Sequence, residues 1–234
     1  MTFFNVSEPL LQRKQKELDF QDLQGLWRID WRVGDVVVLS RFYTRIDQIF
    51  VIWGFITAII FATAQFFPIS WATQAIIWTG FTLVGTILMV AFAWFWVSVE
   101  RLRWVIYVWA GLMLLGVGLT DLGIFGGWWQ ILTYLCPLWL AISALGYLLT
   151  GIGMRSRTFV ITALIHLVGI AVLPYAPSWQ FLATGLVMAG SLLFLSEVQW
   201  DMRSPIDFAV LTETQRQFNH EQYRLRHSAS RLLY

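Results

Sequence analysis

Asp121 and His166 hold the strongest claim to chemistry in this chain, because each interrupts a stretch that is otherwise apolar. Asp121 lies between Gly118 and Gly123, towards the outer end of its stretch. A carboxylate in hydrocarbon costs several kcal/mol unless it is neutralised or paired. Asp121 therefore reads as an ion, proton or polar-ligand site, with a structural or interfacial carboxylate as the plainer reading. His166 sits near the middle of an apolar run of about 16–18 residues. A histidine there would ligate haem iron or chlorophyll magnesium, relay protons, or hydrogen-bond across a bundle, and the partner of one ring nitrogen governs the other. No second histidine lies in an apolar run to complete a bis-His haem, and there is no Cys-x-x-Cys-His attachment. Structural hydrogen bonding thus stands beside cofactor binding, and the cofactor is unknown.

The other polar residues offer less. Glu100 and Glu197 fall near the cation-bearing ends of apolar runs, where snorkelling or surface ion pairs account for them. Gln65, Gln74, Gln130 and Gln180 lie towards the opposite ends and suit helix termini or a vestibule. The sequence holds no H-E-x-x-H, G-x-S-x-G, P-loop or G-x-G-x-x-G motif. Ser7, Ser40 and Ser98 have no evident base-and-acid set. Cys136 is the single cysteine, which excludes an internal disulfide and fits a small buried hydrophobe. No metal set is evident.

The elements that must position these residues are membrane helices. Of the 234 residues, 58% are hydrophobic and 13% charged, against about 25% charged in soluble domains; mean hydropathy is +0.64. Six apolar runs of bilayer length are expected, over about 48–67, 71–99, 104–125, 128–150, 158–173 and 178–198. Hydrocarbon leaves no partner for unpaired backbone amides, so each run should be helical. Pro68, Gly126–Gly127, Pro174 and Pro177 fall between runs, where helix breakers belong. No cleavable signal peptide is expected, because the first 30 residues lack an apolar core followed by a small-residue cleavage site.

All 16 Lys and Arg residues lie before the first run, after the second, after the fourth, or after the sixth. Six crossings put every cation on one side, and the positive-inside rule makes that side cytoplasmic for both termini. The expected fold is an all-α integral membrane protein: a six-helix bundle of three antiparallel hairpins, N-in and C-in, in a bacterial inner or other energy-transducing membrane. Tryptophans at Trp71, Trp128, Trp129 and Trp179 follow the short outer loops, and Trp94, Trp96, Trp104 and Trp200 offer a matching inner belt. The segments Phe55–Phe61 and Val160–His166 echo one another weakly, as in a duplicated hairpin. Ala58 with Ala62, and Gly185 with Ala189, have the four-residue spacing that lets helix backbones approach in lipid.

Domain organisation follows: an arm over 1–47, a membrane domain over 48–200 and a tail over 201–234. In the arm, Leu18, Leu23, Leu26, Trp27 and Trp31 at near-helical spacing, with Arg28 and Arg32 on another face, suggest an amphipathic helix. A second helix is expected from Asp35, with Val37, Val38, Phe42, Ile46 and Ile49 on its apolar side, continuing unbroken into the first span for roughly 50 Å. In the tail a turn is expected at Asp201, Ser204 and Pro205, then a polar run from Asp207. Thr212 and Gln215 form a candidate capping box. Arg216, Tyr223 and Arg224 join Trp27, Arg28, Trp31 and Arg32 as a candidate partner surface, and disorder after about Ser228 is an equal expectation.

With a net charge of +2 and no basic face, a nucleic-acid partner is not expected. The partners expected are the lipid bilayer and a membrane protein or a second copy of the chain. The favoured function is a non-enzymatic scaffold, assembly factor or accessory subunit of a membrane complex. The alternative is a small channel or secondary transporter using Asp121, and a third is a cofactor-binding protein using His166.

Overall fold

The protein is described by a computed structural model covering residues 3–4, 9–34, 36–203 and 210–231. Its elements in order are β1 (Leu11–Gln12), α1 (Phe20–Leu23), β2 (Trp27–Val33), β3 (Val36–Tyr43), α2 (Arg45–Phe66), α3 (Trp71–Val99) and α4 (Arg103–Phe125). They continue with α5 (Trp129–Thr133), α6 (Leu135–Met154), α7 (Arg157–Val172), α8 (Gln180–Glu197), β4 (Gln199–Trp200) and α9 (Glu213–Arg231). Short 3-10 turns at Leu173–Tyr175 and Pro177–Trp179 join α7 to α8.

Six helices are long and apolar enough to cross a membrane: α2, α3, α4, α6, and α7 and α8 with their flanking turns. The chain is a predominantly helical integral membrane protein, with its short strands outside the spans. Large apolar side chains such as Ile76, Ile87, Val168 and Leu186 point outward, while Thr82, Ser143, Thr184 and His166 are buried. That inversion of the soluble pattern is what lipid asks for, because lipid solvates the apolar exterior. Buried hydroxyls close onto the carbonyl one turn back, as Thr86 does to Thr82 (2.7 Å), Thr120 to Gly116 (2.7 Å) and Thr150 to Gly146 (2.8 Å).

The spans close into a ring: each packs on the next, and α8 returns to α2. The most extensive packing joins α2 to α8, α6 to α7 and α3 to α4. The α2–α8 contact is close because glycines sit under side chains of the opposing helix. A Cβ on Gly185 would lie 2.7 Å from Phe61 Cβ, and one on Gly54 would lie 2.7 Å from Leu193. Gly185 and Ala189, paired by spacing in the sequence, both belong to this buried seam.

The arm differs from expectation. The two expected helices are an antiparallel hairpin, β2–β3, running from Trp27 opposite Tyr43 to Val33 opposite Val36, with an irregularity at Trp31/Arg32. Trp27, Ile29, Trp31 and Val33 alternate with Arg28, Asp30 and Arg32, a period of two. Residues four apart share a face in a strand as well as in a helix, so the Trp27/Trp31 spacing alone does not separate them. Gly34 adopts φ +61° at the turn, where a residue without Cβ is unstrained. Asp35, the expected helix start, lies outside the described residues. The first span begins afresh at Arg45: Thr44 Oγ1 accepts from Asp47 N (3.3 Å) and Asp47 Oδ2 accepts from Thr44 N (2.8 Å), a reciprocal capping box. At 22 residues α2 is about 33 Å long, and the expected 50 Å rod does not exist.

Both chain ends meet at one end of the ring. β1 pairs with β4 through Leu11–Trp200 and Gln12–Gln199, and α1 packs on α3 and α9. The tail's capping box forms as the sequence suggests, with Gln215 Oε1 2.9 Å from Thr212 N, and α9 runs on to Arg231, past the expected onset of disorder. Ser204, Pro205 and Asp207 lie outside the described residues.

Candidate functional site

A slender cavity of about 140 Å³ runs inside the ring. Its wall spans Ile46 to Phe61 on α2 and Thr82 to Val97 on α3, each about 22 Å of helix at 1.5 Å per residue. The lining is overwhelmingly apolar and aromatic, including Phe50, Met89, Trp109, Tyr147, Phe159 and Met188. The cavity has this shape because side chains converge from six helices, aromatic ones from five of them, and stop short of filling the centre.

His166 reaches this cavity from α7 and is fully buried. Its Nδ1 lies 2.8 Å from the Thr162 carbonyl oxygen. A carbonyl only accepts, so Nδ1 carries the hydrogen and, in the neutral ring, Nε2 presents a lone pair. Nε2 has no hydrogen-bond partner among the described residues. The Tyr147 ring packs 5.0 Å from the imidazole.

Four inward tryptophans form a consistent set. Trp78 Nε1 donates to Thr63 (3.3 Å), Trp96 to Asp22 (2.9 Å), Trp109 to Thr150 (2.9 Å) and Trp139 to Thr120 (3.2 Å). Trp53 lines the same cavity, and its buried Nε1 donates to nothing among the described residues.

Asp121 is elsewhere. It is partly buried on α4 and accepts from Thr79 Oγ1 of α3 at 3.1 and 3.0 Å. It does not line the cavity, so the structure does not bring Asp121 and His166 together. Among the described residues no group of three or more His, Cys, Asp and Glu is placed to hold a metal ion.

At the end where the N- and C-terminal segments meet, acids expected at the surface or in a turn form a buried polar layer with others the sequence did not single out. Asp201 receives Ser156 Oγ (2.9 Å), Arg157 N and Nε (both 2.9 Å), Thr158 N (3.0 Å) and Thr158 Oγ1 (2.7 Å), and so closes the N-terminus of α7. Burial alone would raise its pKa, but these donors outweigh it and hold the carboxyl below the usual range. Glu100, expected at the surface, is 2% exposed. It accepts from Gln21 Nε2 (3.1 Å), and Arg203 donates to its backbone carbonyl. Asn219 of α9 donates to Gln21 (3.0 Å) and accepts from Phe20 N (2.7 Å), while Arg226 pairs with Asp19 at 2.8 Å. Burial pushes Asp22 and Glu100 up to about 7, and Asp19 adds repulsion to both. These partners lie some 80 to 200 residues apart in sequence, and a lone acid after an apolar run gives no sign of them. The one local signal was Ser156-Arg157-Thr158, a helix start in want of an acceptor.

The expected belt residues divide. Trp71, Trp128, Trp129, Trp179, Trp94 and Trp104 are exposed on the outer surface. Trp96 and Trp200 are not belt residues: Trp96 is buried on Asp22, and Trp200 packs between Phe50 (5.5 Å) and Phe159 (5.4 Å) at the cavity's end. Of the expected partner surface, Trp27 and Trp31 are 58% and 62% exposed on β2, beside Arg28 and the Arg32–Asp30 pair (3.0 Å). Arg216, Tyr223 and Arg224 lie on α9, with Arg216 paired to Glu213 at 3.1 Å. Compared with known protein families, curated proteins and solved structures, the chain matches none.

Proposed function

We propose that the protein is a non-enzymatic scaffold, assembly factor or accessory subunit of a membrane complex, with both termini cytoplasmic and the spans arranged as three antiparallel hairpins in a bacterial inner or other energy-transducing membrane. The observation that carries the reading is the β2–β3 hairpin. A two-stranded hairpin is marginal in water by itself, yet this one presents Trp27 and Trp31 to the surroundings on one face and Arg28 and Arg32 on the other. Trp and Arg are the residues that anchor protein interfaces. The layer joining α1, α9 and the α3–α4 connection supports a firm base for such a contact. The grouping of all 16 cations supports the orientation.

The transport reading through Asp121 is weaker, since that carboxylate is engaged by Thr79 and stands apart from the cavity. A photocrosslinking amino acid at Asp30, in native membranes, tests the favoured reading. The expected result is one discrete adduct with a membrane-complex subunit or a second copy, at fixed stoichiometry, lost in Trp27→Ala/Trp31→Ala. Adducts with lipid alone would refute it. So would ion flux into liposomes that Asp121→Asn abolishes and hairpin removal leaves intact.

A further inference from the structure

We infer that α1 and α9 form a proton-gated cover over the end of the ring where the N- and C-terminal segments meet, closed while Asp22 and Glu100 hold hydrogen and released as they ionise. The two helices act as one unit. Asn219 of α9 accepts from Phe20 N (2.7 Å) and donates to Gln21 (3.0 Å), and Arg226 pairs with Asp19 at 2.8 Å. That unit meets the spans at two polar points. Gln21 Nε2 donates to Glu100 at the end of α3 (3.1 Å), and Trp96 Nε1 of α3 donates to Asp22 (2.9 Å). The apolar contact among the described residues is one small cluster, Phe20 and Leu211 with Phe95 and Val99. Trp96 also lines the central cavity, so the cover is tied to the cavity wall.

The charges that face one another in this layer do not balance. Asp19 and Asp22 come from α1, Glu100 from the end of α3, Arg226 from α9 and Arg203 from the segment after β4. Fully ionised, these three carboxylates meet two guanidiniums. Arg101 and Arg155 repel Arg203 from exposed positions. The two cations are also unevenly placed. Arg226 is bonded to Asp19, and Arg203 Nη2 lies 3.8 Å from Glu100 Oε2, which has no hydrogen-bond partner among the described residues. A buried charge without compensation is costly, and taking up a proton removes it. Burial accordingly pushes Asp22 and Glu100 up to about 7. Lifting the cover returns both carboxyls to water and to their ordinary range near 4, while Arg226 leaves with Asp19 in the moving unit. The closed state therefore holds protons that the open state releases. Closing weakens as pH rises from about 4 to about 7 and levels off above that. The device does not depend on the hairpin contact.

The test uses the full chain in lipid nanodiscs, with Cys136→Ser and spin labels at Gln217→Cys on α9 and Ile152→Cys on α6, both exposed positions. Pulsed electron paramagnetic resonance reads the distance between them from about pH 5 to about pH 8.5. A single distribution is expected in acid. A second, longer population should grow as pH approaches 7 and level off above it. The ratio of closed to open should fall about tenfold per pH unit for each proton released. Asp22→Asn/Glu100→Gln should hold the closed distribution throughout. A second label pair on the spans, Ile76→Cys with Leu186→Cys, should not move. Because the titration of unaltered acids needs neither substitution, a double variant that fails to fold does not spoil it. A distribution that is the same in acid and base would overturn the cover. So would opening that persists in a folded double variant, or movement of the span pair in step with α9.

Discussion

Asp201→Ala should be among the most damaging single substitutions outside the spans. The carboxylate is 2% exposed and accepts five hydrogen bonds from three consecutive residues, two of them from the first amides of α7. Charge-assisted bonds are worth about 1.5–3 kcal/mol each, but five on two oxygens are not additive. Arg157 keeps a quarter of its side chain exposed, so water screens part of its loss. The better guide is the cost of breaking a buried charged pair, about 3–5 kcal/mol, which includes the lost helix cap. For a chain of this size that is a fall in Tm of roughly 6–20 °C. Thermal unfolding in a mild detergent at pH 7 reads it. Because the folded pKa is depressed, the contribution is complete above the ordinary carboxylate range and disappears as pH falls through the lower folded value. The wild type should therefore lose its advantage over the variant only in strong acid. A double-mutant cycle with Thr158→Val should show coupling of about 0.5–3 kcal/mol. A Tm loss under about 3 °C, or strict additivity with Thr158→Val, would refute the assignment of Asp201 as the closure of α7.

The acids under α9 should respond in the opposite sense. Asp22 and Glu100 are raised to about 7, so the folded state holds protons that the unfolded chain releases above about pH 4. Their contribution to stability falls as pH climbs from 4 through 7. Amide exchange in α1 and α9, corrected for intrinsic rates, should be more protected at pH 6 than at pH 8, and Asp22→Asn/Glu100→Gln should erase the difference. In the α2–α8 seam, Gly185→Val should cost about 1–3 kcal/mol by overpacking against Phe61, whereas Gly80→Ala, with open space around it, should be neutral in the same unfolding assay. Asp121→Asn retains an oxygen for Thr79 and should change stability by less than about 1 kcal/mol; a larger fall would reveal a further role for that charge.

The membrane domain was legible because its determinants are local and one-dimensional. A run of apolar residues long enough for a bilayer has few other fates, and the breakers at Pro68, Gly126–Gly127 and Pro177 fall where helices end. The arm was misread because its strongest cue is degenerate. Trp27 with Trp31, and Arg28 with Arg32, align on one face at period 3.6 and at period 2 alike. Ile29, Val33 and the valines from Val36 to Val38 were the discriminating residues, since β-branched side chains favour strands. Thr44 and Asp47 likewise spell a helix start within four residues, which separates the arm from the first span.

Sites made by pairing are a different problem. Composition suggests tryptophans at headgroups as a class, and Trp128, Trp129 and Trp179 are indeed exposed. It cannot separate Trp71, which is exposed, from Trp96, whose indole nitrogen meets a carboxylate 74 residues away. Asp201 and Glu100 resemble Glu197 in sequence, each an acid at the end of an apolar run. Yet Glu197 makes a half-exposed pair with Arg41, while Asp201 is enclosed by Ser156–Thr158 at the start of α7 and Glu100 by Gln21 and Arg203. Burial of a polar atom is therefore informative only after its partners are counted. By that count Asp201 is oversupplied with donors and is architecture. His166 and Trp53 are undersupplied, each burying one ring nitrogen without a partner among the described residues, and no spacing in the sequence announces such a deficit.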